Sequence, residues 1–505
     1  MAKKRKYPQK MVAKLPETNN LDQQYITPIK SSTDYTIENI KYMILNSKYI
    51  QLLILITCIG FFLRFYNLGF NSLWLDEAST LNFATLDGAG GSFLDIWTYT
   101  LQFDPNPPVF VWLEYIIISI AGISEITLRF APALFGALTV PIIYFVGKEF
   151  IDENGGIIAA AAFALSPFLI LYSQEARSYS MLLFFITLTT LFYLKATKSE
   201  GLKFWMLFAI LAACSVWVHF YTVIFLGAVI LYTLVIYKMK YIKELLISIS
   251  IITATTIPVV LITLQTIFKH ASSGPSFGVQ GFNVIYETLL EISGYNIISM
   301  YIILLLFICG LVALYIKERE KTIFLLTILL FTFIASWYLS YKLSMVPRYL
   351  SFLSIILFLG VAASYKLFYA LTNKKIVIYS LIILLVAVNV PFLMTYYSTY
   401  TKQDWRGFSK TLNGMTQPGD LVITVPEYIY QPLNYYYSNK TDGTIEYRAS
   451  NESMLINIRS LQTKNSYYVA TGDIQSADPS GNVIKWLQAN TQQIYQTNGI
   501  FIFKS

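Results

Sequence analysis

Ile297-Ile-Ser-Met-Tyr-Ile-Ile-Leu-Leu-Leu-Phe-Ile-Cys-Gly-Leu-Val-Ala-Leu-Tyr-Ile316 runs for twenty residues without a charge and stops at Lys317-Glu-Arg-Glu320. At 1.5 Å per residue a helix of that length covers about 30 Å, the thickness of a bilayer's hydrocarbon core. By the same reading eleven spans are expected, near 50–67, 130–148, 156–173, 179–195, 203–219, 221–237, 245–263, 297–316, 322–340, 348–369 and 376–395. Val109–Ala121 is apolar but too short to cross, and is expected to lie along the membrane surface as a helix.

Composition agrees. The 505 residues are 55% hydrophobic and 13% charged, with a mean hydropathy of +0.53. Soluble domains carry about twice that share of charge. Gly (25) and Pro (17) are too few for a collagen-like or low-complexity chain. Cys58, Cys214 and Cys309 fall inside apolar runs, where buried inert thiols are expected rather than a disulfide or a zinc cluster. Two histidines, His219 and His270, exclude a histidine-rich metal site. The first apolar run follows a long leader containing Lys3, Lys4, Arg5 and Lys6, unlike the short leader of a cleaved signal peptide, so it is expected to be a permanent anchor.

The net charge of +8 is informative through its placement. Twenty-two Lys and Arg fall in the leader and alternate loops, among them Lys148, Lys198, Lys240, Arg319 and Lys374. The loops between them hold only Arg129, Arg177, Lys269, Lys342 and Arg348, with Arg64 inside the end of the first span. Such a bias puts the N-terminus in the cytoplasm and the C-terminus outside. It assigns the basic charge to sidedness and leaves no role for nucleic acid.

The expected fold is therefore a polytopic α-helical membrane protein of about eleven transmembrane helices, with a long first outer loop carrying juxtamembrane helices, plus a small C-terminal α/β extracytoplasmic domain. Residues 1–49 form a basic cytoplasmic segment and 50–395 the transmembrane domain, with outer loops at 68–129 and 264–296. The second loop contains Ser272-Ser273-Gly274-Pro275. In 396–505 short apolar runs, Asp420-Leu-Val-Ile-Thr-Val425, Tyr467-Tyr-Val-Ala470 and Ile500-Phe-Ile-Phe503, alternate with helix-like stretches at 405–412 and 427–437.

The few charges on the outer face carry the chemistry. Asp76-Glu77 follows Trp74 just past the first span; it is either a helix N-terminal charge favoured by the macrodipole, the wetting of a loop, or a general base for a hydroxyl. Gln174-Glu175-Ala176-Arg177 closes the third span. An i, i+2 Glu and Arg do not face each other on a helix, so each needs its own partner or snorkels to water. Pro347-Arg348-Tyr349 opens the tenth span and Arg129 the second. The topology brings these groups to one membrane face. Carboxylates and guanidiniums together suit a reaction on an anionic lipid headgroup, since an arginine fork binds phosphate oxygens in pairs. No phosphate-binding glycine loop or dinucleotide fingerprint is present, so an outward-facing transferase would draw on a lipid-linked donor.

Phe65-Tyr-Asn-Leu-Gly through Leu73-Trp-Leu-Asp-Glu-Ala resembles the first-loop signature of the GT-C glycosyltransferases, nearest to the protein O-mannosyltransferase and lipid A aminoarabinose transferase branch. Asn106-Pro107-Pro108-Val109 is similar to that branch's His-Pro-Pro-Leu element. Arg129-Phe-Ala-Pro-Ala-Leu-Phe-Gly136, Ser166-Pro167, Tyr172-Ser-Gln-Glu-Ala-Arg177, His219-Phe220-Tyr221, Pro347-Arg348-Tyr349-Leu350 and Asp404-Trp405-Arg406 resemble its later signatures.

The resemblance implies an inverting hexosyl or pentosyl transferase. It would move a sugar from a polyprenyl- or dolichyl-phosphate donor to a hydroxyl of a lipid, glycan or protein acceptor, in contact with membrane lipids. The family's first-loop acid maps onto Asp76, the base, with Glu77 holding the acceptor or orienting Asp76. Arg348 and Arg177, with Lys342 behind them, would bind the donor phosphate. Substrate contacts would come from Glu175, Asn106, Arg129, His219 and Tyr349. Glu175 would position the sugar or bind a metal; a divalent ion stays open, because some GT-C enzymes use one and others do not. Ser79 stands where aminoarabinose transferases carry Arg, which speaks against that sugar, and Asn106 replaces the usual His. The tyrosines of 428–437 are read as packing residues. A secondary transporter or lipid flippase is the alternative, and a lipid-binding scaffold the third reading. A transporter would place charges near the bilayer midplane, where these spans have almost none.

Overall fold

Without water, an apolar run must satisfy its backbone internally, and each expected span is helical in the computed structural model, which describes residues 47–104, 106–439, 445–460 and 464–505. The leader charges Lys3, Lys4, Arg5, Lys6, Lys10, Lys14, Lys30 and Lys41 lie outside the described residues. Residues 51–505 form one compact unit, and the architecture below is that of this unit. In chain order the helices are α1 (Lys48–Phe65), then α2 (Leu75–Thr85), α3 (Phe93–Thr100) and α4 (Val109–Ala121) in the first long loop. α5 (Glu125–Phe150), α6 (Glu153–Leu165), α7 (Pro167–Ser173), α8 (Tyr179–Ala196), α9 (Lys203–Val218), α10 (Thr222–Tyr237) and α11 (Ile242–Ser273) follow. A short α12 (Asn283–Ile292) precedes α13 (Ile297–Lys317), α14 (Arg319–Leu339), α15 (Leu353–Thr372) and α16 (Ile376–Ser398).

Among the described residues eight of these helices are long and apolar enough to cross a membrane, or nine if α6 and α7 count as one bent span. α9 and α10 are shorter apolar helices of sixteen residues each. Every expected span thus coincides with a helix or the bent pair, and the fold is that of a polytopic helical membrane protein. Three details differ from expectation. α11 continues to Ser273 instead of ending near 263. The tenth span starts at Leu353, because Pro347–Leu350 makes a separate 3-10 turn. Cys58 is exposed on α1 rather than buried. Where helices meet closely the contact residues are glycines: a Cβ on Gly310 would lie 1.8 Å from the Gly360 carbonyl oxygen, so α13 and α15 touch backbone to backbone.

The third span is broken by Pro167, which has no N–H to donate, and α6 and α7 meet at 57°. The carbonyls stranded by the break are taken by Arg64 of α1. Its Nη2 donates to Phe163 O (3.1 Å) and its Nη1 to Ala164 O (3.2 Å) and Gly60 O (3.1 Å). Gln174, just past α7, returns the favour by capping α1, donating from Nε2 to the carbonyls of Leu63, Arg64 and Tyr66. The segment following the break is thereby held against the end of the first span.

The C-terminal domain is a five-stranded sheet in the order β2-β1-β3-β5-β4. Its elements are α17 (Trp405–Met415), β1 (Leu421–Val425), α18 (Tyr430–Tyr436), β2 (Ile445–Arg448), α19 (Glu452–Ser460), β3 (Ser466–Thr471), α20 (Asn482–Asn490), β4 (Gln492–Thr497) and β5 (Ile500–Lys504). β1 is parallel to β2 and β3, while β5 runs antiparallel to β3 and β4. Alternate residues of the central strands serve two cores. Ile423, Val425, Tyr468 and Ala470 pack with Leu455, Val483 and Trp486 on one face. Val422, Val469, Ile500 and Ile502 pack with Trp405, Phe408 and Leu433 on the other. The expected strands are β1, β3 and β5. β2 and β4 lack an apolar run because they are edge strands, and β4 (Gln-Gln-Ile-Tyr-Gln-Thr) is largely exposed.

This domain is seated on the first long loop. Arg406 donates to the carbonyls of Gly69 (3.0 Å) and Phe70 (3.3 Å) and to Glu125 (2.6 Å). The Tyr436 hydroxyl accepts from Leu73 N–H (2.8 Å) and donates to Glu125 (2.8 Å), and Tyr430 donates to Asp87 (3.0 Å). The tyrosine-rich stretch is docking surface.

Candidate functional site

Trp74 precedes α2 at its N-cap, and the first turn of the helix presents two acids, Asp76 and Glu77. Successive residues on a helix point about 100° apart, so the two carboxylates have different surroundings. Glu77 turns inward and has no exposed area. It is clamped by Arg129 through two bonds of 2.7 Å, and accepts from Ala176 N–H at 2.9 Å. Burial raises its carboxyl, but the charges of Arg129 and Lys402 and the bonds from Arg129 and Ala176 outweigh that and hold it at about 2. Arg129 is itself buried, and its remaining N–H groups bind the carbonyls of Leu68, Asn71 and Ser72. The pair ties the first loop, α5 and the segment after α7 into one piece. Neither side chain has area left for a substrate.

Asp76 turns the other way. Its Oδ2 accepts from Arg348 Nη2 at 3.0 Å, and both side chains keep contact with solvent, 24% and 18% exposed. Arg348 is presented by the 3-10 turn Pro347–Leu350 and steadied by Tyr179, whose hydroxyl accepts from its Nε at 3.0 Å. The guanidinium lies 5.5 Å from the Trp74 ring centroid, 5.8 Å from that of Tyr179 and 5.9 Å from that of Tyr349. It is an aromatic box around one cation.

Glu175 and Arg177 each find a separate partner, as their spacing requires. Arg177 pairs with Asp104 (3.3 Å) and donates to Thr80 Oγ1 (3.3 Å). Asn106 donates twice to the other Asp104 oxygen, both at 2.8 Å, so it positions that acid. Glu175, almost wholly buried, pairs with Lys402 at 3.1 Å. Burial raises its carboxyl above the ordinary range despite the opposing Lys402 charge. Tyr349 is stacked on Tyr221 (5.0 Å) and lies beside His219 (5.4 Å). His219 is fully buried, and its Nδ1 accepts from Tyr221 N–H at 3.4 Å. On α12, Glu291 accepts from the Tyr172 hydroxyl at 3.4 Å, and burial raises its carboxyl to about 7. Lys342 is exposed, and among the described residues it makes no ion pair.

Buried polar atoms normally have partners. Here Trp74 Nε1, Asn106 Oδ1, Glu175 Oε2, Arg177 Nε and His219 Nε2 are buried without one among the described residues. Five such atoms belong to residues around the Asp76–Arg348 pair, an arrangement suited to a hydroxyl-rich ligand. A divalent metal fits poorly. No three Asp, Glu, His or Cys side chains converge among the described residues, and Asp76, Glu77, Asp104 and Glu175 each already face a basic side chain.

Sequence reasoning missed Asp104, Lys402, Tyr179 and Glu291. Asp104 stands two residues before Asn106, and that adjacency was a usable signal. Lys402 lies in a polar linker that offers none.

The family described as dolichyl-phosphate-mannose-protein mannosyltransferase matches residues 105–263, which includes Glu175, Arg177 and His219 and leaves Asp76 and Arg348 outside. An uncharacterised protein of Aquifex aeolicus (strain VF5) is 28% identical over 148 residues, covering 28% of this chain and 30% of that one. YycA of Bacillus subtilis (strain 168), provisionally named a mannosyltransferase, is 29% identical over 165 residues, covering 31% of this chain and 23% of its own. The matched stretch thus spans less than a third of either relative. Among solved structures, ArnT from Cupriavidus metallidurans bound to undecaprenyl phosphate superposes with a TM-score of 0.59 at 12% identity, over 89% of this chain and 97% of that one. The Archaeoglobus fulgidus oligosaccharyltransferase, in complex with zinc and sulfate, superposes with a TM-score of 0.55 at 14% identity, over 90% and 72%. The chain has the fold that these structures share.

Proposed function

We propose that this chain is a membrane glycosyltransferase that moves a hexosyl or pentosyl unit, with inversion, from a polyprenyl- or dolichyl-phosphate donor to an acceptor hydroxyl of a lipid, glycan or protein. The carrying observation is the Asp76–Arg348 pair at 3.0 Å, a carboxylate and a guanidinium far apart in the chain that meet in a partly exposed, aromatic-lined site. The Lys and Arg bias of the loops supports an extracytoplasmic site, with the N-terminus in the cytoplasm. The ArnT structure with undecaprenyl phosphate supports a lipid-phosphate donor.

In the resting protein the two charges neutralise each other. A donor phosphate replaces Asp76 at the Arg348 guanidinium and frees the carboxylate. Asp76 then accepts the proton of the acceptor hydroxyl while its oxygen bonds to the anomeric carbon. The bond from that carbon to the phosphate oxygen breaks, and the carrier phosphate leaves with the electron pair. Negative charge grows on the phosphate as it departs, so Arg348 and Arg177, held in place beforehand, stabilise the transition state more than the ground state. A phosphate leaving group needs little protonation, so no second acid is required. Glu175, Asn106, His219 and Tyr349 line the sugar side. Glu77 and Arg129 act through the fold, positioning α2.

The test is incubation of purified protein with a panel of undecaprenyl- and dolichyl-phosphate sugars and membrane-derived acceptors, reading carrier release and product mass. Release with one donor, lost in Asp76→Asn, supports the reading. Absence of release with every donor rejects it. The broken α6–α7 span favours a second reading, transport of a lipid-linked substrate, because transporters use broken helices. In this chain the freed carbonyls are occupied by Arg64 rather than presented to an ion or substrate, which weighs against it.

A further inference from the structure

Residues 400–406 join α16 to the C-terminal domain and lie as a strap across the first loop. Tyr400 stacks on Phe70 with ring centroids 4.7 Å apart, Thr401 N–H donates to Asn71 (3.1 Å), and Asp404 accepts from Ser72 (3.1 Å). Between these anchors Lys402 points into the site, and its side chain is only 10% exposed. Its Nζ lies 3.1 Å from Glu175 Oε1 and 3.5 Å from Glu77 Oε2, and 5.5 Å from the Trp74 ring centroid. Arg348 lies at the same 5.5 Å from that ring, so two cations share one indole.

Lys402 is unlike the two arginines beside it. Arg348 and Arg177 are rigid forks, each already bonded to an acid and a hydroxyl. Glu77 takes its short hydrogen bonds from Arg129 and Ala176, and Lys402 is its more distant partner at 3.5 Å. An ammonium has three N–H donors on a flexible stem, and two carboxylates occupy two of them. The third is not taken up by a carboxylate.

We propose that Lys402 is a ligand of the donor phosphate, delivered by the strap, so that the C-terminal domain completes the binding site. This rests on the transferase reading above. The ligand chemistry is a phosphate group, borne by a long-chain alcohol rather than free in solution.

The test uses the full chain in nanodiscs of neutral lipid, with three probes: undecaprenyl phosphate, undecaprenol and inorganic phosphate. Lys402→Gln should weaken undecaprenyl phosphate binding at least tenfold, Lys402→Arg should keep it within threefold, and undecaprenol binding should not change. Because Lys402→Gln leaves Glu175 buried without its partner, the double variant Lys402→Gln/Glu175→Gln is measured beside it, and should show the same selective loss with the wild-type melting temperature. Equal binding of undecaprenyl phosphate by wild type and both Gln variants overturns the proposal. So does a loss that is just as large for undecaprenol, or a Lys402 dependence seen with inorganic phosphate alone. If wild type itself binds undecaprenyl phosphate no better than undecaprenol, the transferase reading falls and takes this inference with it.

Discussion

Asp76 and Glu77 are adjacent in the chain and have opposite fates: Asp76 is 24% exposed against Arg348, and Glu77 is fully buried against Arg129. A rotation of about 100° on α2 thus separates a carboxylate that can meet a substrate from one that cannot. Removing each charge should therefore produce different kinds of damage.

Asp76→Asn keeps the size of the side chain and its contact with Arg348 while removing the base. Transfer should fall by about 10²–10⁴-fold, the usual contribution of a general base, with melting temperature unchanged and donor binding as tight or tighter, because the phosphate no longer has to displace a charged partner from Arg348. Product formation under saturating donor measures the first and carrier binding the second. Near-normal turnover would remove Asp76 from the mechanism.

Arg348→Ala removes the cation facing the departing phosphate. Donor use should weaken at every acceptor concentration, and kcat should drop by about 10²–10³-fold, the scale of losing one preorganised charge donor. Initial rates over a grid of both substrates decide the point. An effect confined to the acceptor would show that the roles are exchanged.

Glu77→Gln should act on stability. Breaking a buried ion pair from one side costs about 3–5 kcal/mol, because the other charge is stranded. Replacing both partners, Glu77→Gln/Arg129→Met, should cost less than the two single changes added together, the remainder being the Leu68, Asn71 and Ser72 carbonyls that Arg129 also holds. The pH sign follows from the carboxyl held at about 2. A depressed value contributes stability above the ordinary carboxylate range, about 4.3, and loses it as pH falls toward 2. The melting-temperature gap between wild type and Glu77→Gln should thus be widest near neutrality and narrow below about pH 5.

Arg64→Met strands the Phe163 and Ala164 carbonyls at the α6–α7 break. Each unsatisfied buried group costs about 1–3 kcal/mol, so thermal stability in detergent should fall. Hydrogen exchange should rise first around residues 163–177. If exchange rises evenly over the whole bundle instead, Arg64 is not a local brace.

Chelation should leave transfer unchanged. The rim carboxylates are already partnered by Arg348, Arg177, Lys402 and Arg129. Rates before and after dialysis against EDTA test this, and restoration of lost activity by a divalent ion would overturn it.

Much of the fold could be read residue by residue. Each uncharged run is a helix because lipid allows a lone segment nothing else. The short, nearly continuous apolar runs at Leu421–Val425 and Tyr467–Ala470 report strands buried on both faces. The break at Pro167 falls inside the single span expected at 156–173 and was not read, since a proline in a membrane helix can also be absorbed as a kink. β2 and β4 escaped because an edge strand need not be apolar. Within the site, Asp76, Glu175, Arg177 and Arg348 stood out as rare charges beside apolar runs. Asp104 was legible only through its closeness to Asn106, and Lys402 sits among ordinary polar neighbours, where a charge is unremarkable.

The one-dimensional pattern determined the helical membrane body, its small α/β appendage, and a short roster of charged residues at span ends. That much is local, set by hydropathy along a single stretch of chain. Tertiary structure alone decided which acid faces which base. Whether a carboxylate is a buried brace like Glu77 or an open one like Asp76 depends on what arrives from residues 129, 348 and 402, and those contacts are made by packing across the whole bundle.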